Sequence, residues 1–372
     1  MTIAPGDSPV ATSDALAQPS DQSRGPARSG EIWIERGGAV PVAFDAMTAP
    51  LKLVFMGSDP IALPLLEWLA GEGGALAEVV AVYTQPDRPA GRGQKVEAGP
   101  VKRWAVGHQL PVRQPGKLTA DEREWLAAQR ADVALVMAYG QILKDDFIAA
   151  PRLGTLNLHA SILPSHRGAS PIQTAIACGE SETGVTLMRV VRQLDAGPVA
   201  AVETVPIAPL DTAREVEMKM AAACVPLLAR TLPRLADGTL EFSPQDDRSA
   251  TYCRRLTRED GRLDFAASAA ILAARINGLF PWPGCVVETN GAPVKLGLAD
   301  ALGGAGGVPG TVLGADAEGL LVATRDGTLR LRRLQRPGGK MLPAVEFLRG
   351  FPVRAGEILP SQTMASLPVR RA

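Results

Sequence analysis

Between Thr155 and Gln173 the chain reads TLNLHASILPSHRGASPIQ and holds two of its three histidines. In an extended strand, residues two apart project from one face. Thr155, Asn157 and His159 therefore line up together, while Leu156 and Leu158 point the other way. Aliphatic side chains would pack better there, so a polar face inside an apolar run needs partners or a purpose. Further on, QLDAGPV sets Asp195 in a loop beside Gly197, just after the next strand. A carboxylate next to an imidazole favours the protonated ring, and an Asn amide is a neutral donor for a developing oxyanion. A lone histidine is more often a satisfied structural group. Three such groups at one sheet end, followed by the loop SILPSHRGASP, favour chemistry. His166, within that loop, is assigned no catalytic role.

The elements that must position this trio follow from hydrophobic periodicity. LKLVFMG, AEVVAVYTQ, ADVALVMAYG, GTLNLHAS and GVTLMRVV read as short apolar strands, with IALPLLEWLAG, VKRWAVGHQ and TADEREWLAAQ as helices between them. Near-continuous aliphatic strands alternating with helices predict a Rossmann-like, doubly wound, mostly parallel α/β sheet. Ligands of such open sheets bind beyond the carboxyl ends of the strands, which is where Asn157 and His159 fall. After a long helix (PLDTAREVEMKMAAACVPLLARTLPRLADG), the character changes. Short strands with NG and DG turns from residue 285 onward predict a small OB-like β-barrel. The expected organisation is a tail over 1–46, a catalytic domain over 47–238, a linker over 239–257, the barrel domain over 258–357 and a tail over 358–372.

Of the 372 residues, 46% are hydrophobic and 21% charged, as in a globular protein. Thirty-nine Lys and Arg balance 39 Asp and Glu, which excludes nucleic-acid binding through overall charge and leaves only local basic surfaces. Cys178, Cys224, Cys253 and Cys285 are dispersed, without the close pairing of a zinc site, so buried reduced thiols and no metal are expected. No apolar run approaches the roughly 20 residues that span a bilayer. The first 46 residues are rich in Pro, Ser, Ala and Gly and lack the apolar centre of a signal peptide. They read as a disordered tail or a mis-assigned start, since MTAPLKLVFMGSD from Met47 resembles a natural beginning. The expectation is a cytoplasmic, monomeric protein.

LNLHASILPSHRGASPIQ followed by GESETGVTLMRVVRQLDAG closely resembles the folate-dependent formyltransferases, over about Leu51 to Phe351. TQPDRPAGRGQK and the C-terminal domain narrow the resemblance to the branch acting on initiator methionyl-tRNA. It implies that 10-formyltetrahydrofolate is the co-substrate and that its formyl group passes to the methionine α-amine. On that resemblance Asn157 and His159 polarise the formyl oxygen, and Asp195 positions the histidine and assists proton transfer. Ser161, Ile162, Leu163 and Pro164 match the family's folate-contacting SLLP, with Ile162 in place of Leu. Departures surround the trio: Val191 for an acid, Gln193 for Gly, and Ala196 and Pro198 for commoner Thr and Asp.

Two basic segments remain. TQPDRPAGRGQKVEAGPVKR is too rich in Pro and Gly for a long helix and reads as an exposed mobile loop. Its glycines are too close for a phosphate-binding P-loop. A solvated basic loop is an equal reading of the residues alone. The resemblance makes it the insertion that enters the tRNA acceptor stem, with Arg88, Arg92 and Lys95 as contacts and Gln94 where a second basic residue is common. In GTLRLRRLQRPGGK, Arg330 and Arg332 share a strand face near Arg336, with no acid in the segment. Such a face is ordinarily solvent-exposed charge. The resemblance makes it a surface that holds tRNA phosphates without reading bases. Rival readings are a glycinamide ribonucleotide or sugar-amine formyltransferase, a formyltetrahydrofolate hydrolase, and a non-catalytic RNA-binding protein that leaves the Asn157–His159 face unexplained.

Overall fold

A computed structural model describes residues 49–90, 95–304 and 306–369. The first domain runs β1 (Leu51–Gly57), α1 (Leu63–Ala70), β2 (Ala77–Tyr83), β3 (Arg88–Ala90), β4 (Lys95–Glu97), α2 (Pro100–Gly107), β5 (Val112–Arg113), α3 (Ala120–Ala128) and β6 (Val133–Met137). It continues through α4 (Asp145–Ile148), β7 (Thr155–His159), β8 (Arg167–Gly168), α5 (Pro171–Ala177), β9 (Glu182–Arg189), β10 (Val199–Pro206) and α6 (Ala213–Ala236). Seven strands form one sheet in the order β10-β9-β7-β6-β1-β2-β5. β5, β2, β1, β6 and β7 run parallel to one another, whereas β9 pairs antiparallel with both β7 and β10. The chain leaves β1 toward β2 and β5, then returns to β6 on the opposite side. That reversal opens the crevice in which sheets of this kind bind ligands.

The strands are buried on both faces. Leu53, Val54, Phe55 and Met56 of β1 have no solvent exposure. α6 begins with a capping box between Thr212 and Glu215 and turns Val216, Met220, Cys224 and Leu227 inward, spaced by three or four residues. Each such aliphatic side chain contributes about 1.5–3 kcal/mol on burial. That seam keeps the helix continuous past Pro226 and Pro233, each of which removes a backbone donor.

The segment 239–257 lies along the first domain. Its β11 (Tyr252–Cys253) pairs parallel with β8. The second domain follows: α7 (Ala269–Leu279), β12 (Cys285–Thr289), β13 (Ala292–Leu302), β14 (Val312–Ala315), β15 (Leu320–Ala323), β16 (Thr328–Gln335), β17 (Leu342–Pro343) and α8 (Ala344–Gly350), with β18 (Pro368–Val369) returning to pair with β11. β12-β13-β16-β15-β14 form an antiparallel sheet, with β17 on β16, curled into a half-barrel of the OB-like type. Register shifts around Leu296–Ala299 interrupt the β13–β16 ladder, and such irregularities increase local twist. α7 packs on α5 of the first domain, where a Cβ at Gly278 would meet the Ala177 backbone at 2.5 Å. Glycine permits that approach. The 1–46 tail lies outside the described residues. Cys224, Cys253 and Cys285 are buried as expected, but Cys178, at the end of α5, is exposed.

A buried acid organises the entry to α7. The Asp260 carboxylate accepts from Thr257 N at 2.7 Å and from Arg254 Nη1 at 2.8 Å, and the Asp260 carbonyl accepts from Arg275 Nη2 at 2.9 Å. Burial alone would raise this carboxyl, but hydrogen bonds from Arg254 and Thr257 hold it below the usual carboxylate range. With the folded value depressed, the stability it contributes is present above the unfolded value of about 3.9 and lost as pH falls through the folded one. Asp260→Asn is expected to cost about 2–3 kcal/mol at neutral pH in urea unfolding. The difference from wild type should shrink below about pH 4, and a constant difference down to pH 2 would refute the assignment.

Candidate active site

Asn157 and His159 project from one face of β7, opposite Met188 and Thr186 of β9. Asn157 is half-buried, and its amide makes no hydrogen bond among the described residues. His159 is 6% exposed. Its Nε2 lies 2.9 Å from the His166 carbonyl, and a carbonyl can only accept, so Nε2 carries the proton. In the neutral ring the lone pair is then at Nδ1, 3.8 Å from the Asp195 carboxylate. That separation is too long for a hydrogen bond but close enough to stabilise an imidazolium. The group that orients the ring directly is thus the backbone of His166, not Asp195.

Asp195 sits in the β9–β10 connection with φ +50°, a left-handed conformation that Asp tolerates better than most residues. Its carboxylate accepts from Gly168 N at 2.9 Å. The Gln245 amide donates to the Asp195 carbonyl at 2.9 Å and to the Gly197 carbonyl at 2.7 Å. Nearby, Arg192 reaches Asp145 at 3.7 Å, so this connection faces the one after β6. Each carries an exposed aliphatic side chain, Leu194 at 59% and Ile142 at 83%. Leu194 stands next to Asp195 in the chain, and an exposed apolar group beside a polar residue suits a binding surface. The signal of Leu194 and Ile142 in the sequence was an aliphatic residue within otherwise turn-like QLDAG and AYGQIL.

Ser161 through Pro164 follow β7 directly. Ser161 and Leu163 are buried, the Ser161 hydroxyl donating to the Ser165 carbonyl at 2.6 Å, while Ile162 and Pro164 are half-exposed. The Thr186 hydroxyl donates to the Ser161 carbonyl at 2.6 Å and accepts from Leu163 N at 3.1 Å, clamping the segment. Beside it lies a cleft of ≈470 Å³ that Ile162, His166, Glu180 and Thr183 help line. His166 is buried with φ +57°, and its ring meets Glu180 at 2.7 Å. Its carbonyl, on His159, is the contribution that sequence reasoning passed over.

The basic segments differ from their sequence reading. The mobile loop expected around Arg88 is a hairpin in which β3 and β4 pair antiparallel from Arg88–Glu97 to Ala90–Lys95. Pro89 is accommodated at Val96 in this two-stranded ribbon. Arg88 is exposed and donates to Gln85 at 3.2 Å. Arg92 lies outside the described residues. Arg330 and Arg332 do share a face, but it is not bare. Arg330 binds Asp300 at 2.6 Å and Asp316 at 3.2 Å, and Arg332 binds Glu318 at 2.8 Å. The Asp300 carboxylate pushes the Arg330 guanidinium further above its ordinary range. Arg333, Arg336 and Lys340, by contrast, are exposed and without ion-pair partners among the described residues. No cluster of three or more metal-ligating side chains exists among the described residues.

The formyl transferase model matches residues 51–232, and the formyl transferase C-terminal domain model matches 255–352. A methionyl-tRNA formyltransferase of Aromatoleum aromaticum is 43% identical over 310 residues, covering 83% of this chain and 97% of that one. One from Pseudomonas fluorescens is 44% identical over 297 residues, covering 80% and 92%. Among solved structures, the N-formyltransferase of Helicobacter canadensis, in complex with folinic acid and dTDP-3-aminofucose, superimposes with a TM-score of 0.57 at 18% identity. That match covers 76% of this chain and 99% of the other. HypX from Aquifex aeolicus, in complex with tetrahydrofolic acid, gives 0.55 at 17% identity, covering 84% and 51%. These two share the fold. The chain belongs to the formyl transferase family, in its methionyl-tRNA formyltransferase branch.

Thr186→Val removes both hydrogen bonds of the clamp while keeping the volume. It is expected to cost about 1–3 kcal/mol in urea unfolding, with Thr186→Ser recovering most of the loss. Equal losses in the two variants would show that packing, not the hydroxyl, holds Ser161–Pro164.

Proposed function

We propose that this chain transfers the formyl group of 10-formyltetrahydrofolate to the α-amine of methionine on initiator methionyl-tRNA. The observation that carries the reading is the open Asn157 amide beside His159 and Asp195, in a chain 43% identical to a methionyl-tRNA formyltransferase over nearly all of that relative. The fit of the folate is supported by the exposed Leu194 next to Asp195 and by half-exposed Ile162 and Pro164 in the segment that follows β7. The bound folate supplies an activated formyl carbon.

The remaining work falls to the chain's own groups. The Asn157 amide donates to the formyl oxygen as negative charge develops there. His159 Nδ1, its lone pair set by the His166 carbonyl, takes the proton that the attacking amine loses, and Asp195 stabilises the resulting imidazolium. His159 then returns that proton to the leaving nitrogen. A neutral amine is already a competent nucleophile, so orientation and charge stabilisation suffice without a covalent enzyme intermediate.

Arg88, Arg92 and Lys95 of the hairpin segment, with Arg336 and its unpaired neighbours Arg333 and Lys340, are the phosphate-binding groups of this reading. Arg330 and Arg332 take the supporting role of stiffening the sheet beneath them, because their charge is already matched. The reading extends to a cytoplasmic monomer, the compartment following from aminoacylated tRNA as the substrate. Sedimentation as a dimer would remove the monomer from the reading.

The test is formyl transfer to charged initiator tRNA. His159→Ala and Asn157→Ala are expected to lower kcat by roughly 10²–10⁴-fold. Arg336→Ala should raise KM for tRNA and flatten its salt dependence by about one phosphate contact, whereas Arg332→Ala should not. A wild-type chain that hydrolyses the folate or formylates a small amine, but not methionyl-tRNA, would defeat the substrate assignment.

A further inference from the structure

The reach of Gln245 is what sets it apart. It belongs to the segment joining the two domains, 50 residues from Asp195 in sequence, yet its side chain ends at the proposed active site. Its Oε1 accepts from Arg167 Nε at 3.0 Å and Nη2 at 2.8 Å, which fixes which end of the amide is oxygen. Both protons of the NH2 are then committed, one to the Asp195 carbonyl and one to the Gly197 carbonyl. These two carbonyls bracket the turn in which Asp195 holds its left-handed φ. A strained residue persists only where its surroundings over-determine it. Here one amide grips the backbone on both sides of Ala196, and Gly168 N grips the carboxylate. Arg167, adjacent to Gly168 and fully buried, anchors Gln245 and leaves it one orientation.

We infer that Gln245 is a positioning residue for Asp195, acting as a bracket that sets the carboxylate beside His159. The inference rests on the reading of Asp195 as a participant in the reaction. Gln245 touches no substrate in it, and it alters the reaction only through the turn it holds.

The two substitutions that separate positioning from mere anchoring are Gln245→Glu and Gln245→Ala. A carboxylate at 245 keeps both acceptor contacts to Arg167 and so retains the anchor, but it presents oxygen to the two carbonyls and loses both donors. Steady-state kinetics and thermal unfolding of the full chain, with Asp195→Asn alongside, provide the readout. Gln245→Glu is expected to lose up to roughly 10²-fold in kcat, with KM for folate and tRNA within about twofold and Tm within about 2 °C of wild type. Its kcat–pH profile should depart from wild type in the same sense as that of Asp195→Asn. Gln245→Ala should lose kcat similarly and lose Tm as well. Wild-type kcat in Gln245→Glu, or a loss of kcat that only follows a loss of Tm, overturns the inference. Wild-type kcat in Asp195→Asn overturns instead the reading of the site on which it stands.

Discussion

A guanidinium with no solvent exposure has to be satisfied by its surroundings, and Arg167 imposes that constraint on the whole molecule. Its donors reach Gln245, Asp247 and the Tyr252 hydroxyl, all in the segment between the domains. Leaving such a charge unpaired would cost several kcal/mol. The joining segment therefore has to lie against the loop after β7, and β11 pairs with β8 there. Gly168 completes the seam, because a Cβ at that position would collide with the Cys253 carbonyl. Asp195, the His166 carbonyl and the ring of His159 all take their places from this one seam.

The polar face of β7 was legible because two-residue alternation is a strong local signal and Asn and His interrupt an aliphatic run. Asp195 was legible for a similar reason, as an acid in a Gly-bearing turn after a strand. Strand direction was not. Continuous apolar runs such as GVTLMRVV carry no mark of polarity, so the antiparallel pairing of β9 with β7 and β10 came without warning. Nor could local reading find Thr186 or Gln245. Each is an ordinary polar residue whose partners lie 23 to 78 positions away.

The basic faces show the same limit of local reading. GTLRLRRLQRPGGK contains no acid, yet in space Arg330 and Arg332 lie among Asp300, Asp316 and Glu318 from β13 and the β14–β15 turn. Cross-strand neighbours, not sequence neighbours, decide whether a strand's charge is free. The hairpin of β3 and β4 makes the converse point. Pro and Gly suggested an exposed mobile loop, but two-stranded pairing tolerates a proline where no ladder donor is required of it.

These placements also bear on how a chain of zero net charge engages a polyanion. Each phosphate neutralised by a free cation releases counterions, whereas a cation already paired with a carboxylate releases few. The segment 328–340 divides along that line: Arg330 and Arg332 are ion-paired, whereas Arg333, Arg336 and Lys340 are exposed without ion-pair partners among the described residues, and on the proposed function these three are the cations left for phosphate. A small number of free cations on a rigid sheet gives modest, sequence-independent affinity, which suits a surface that orients a substrate. On the proposed function, the transfer itself depends on where a single carboxylate, held in a left-handed turn, lies beside an imidazole whose tautomer is already fixed.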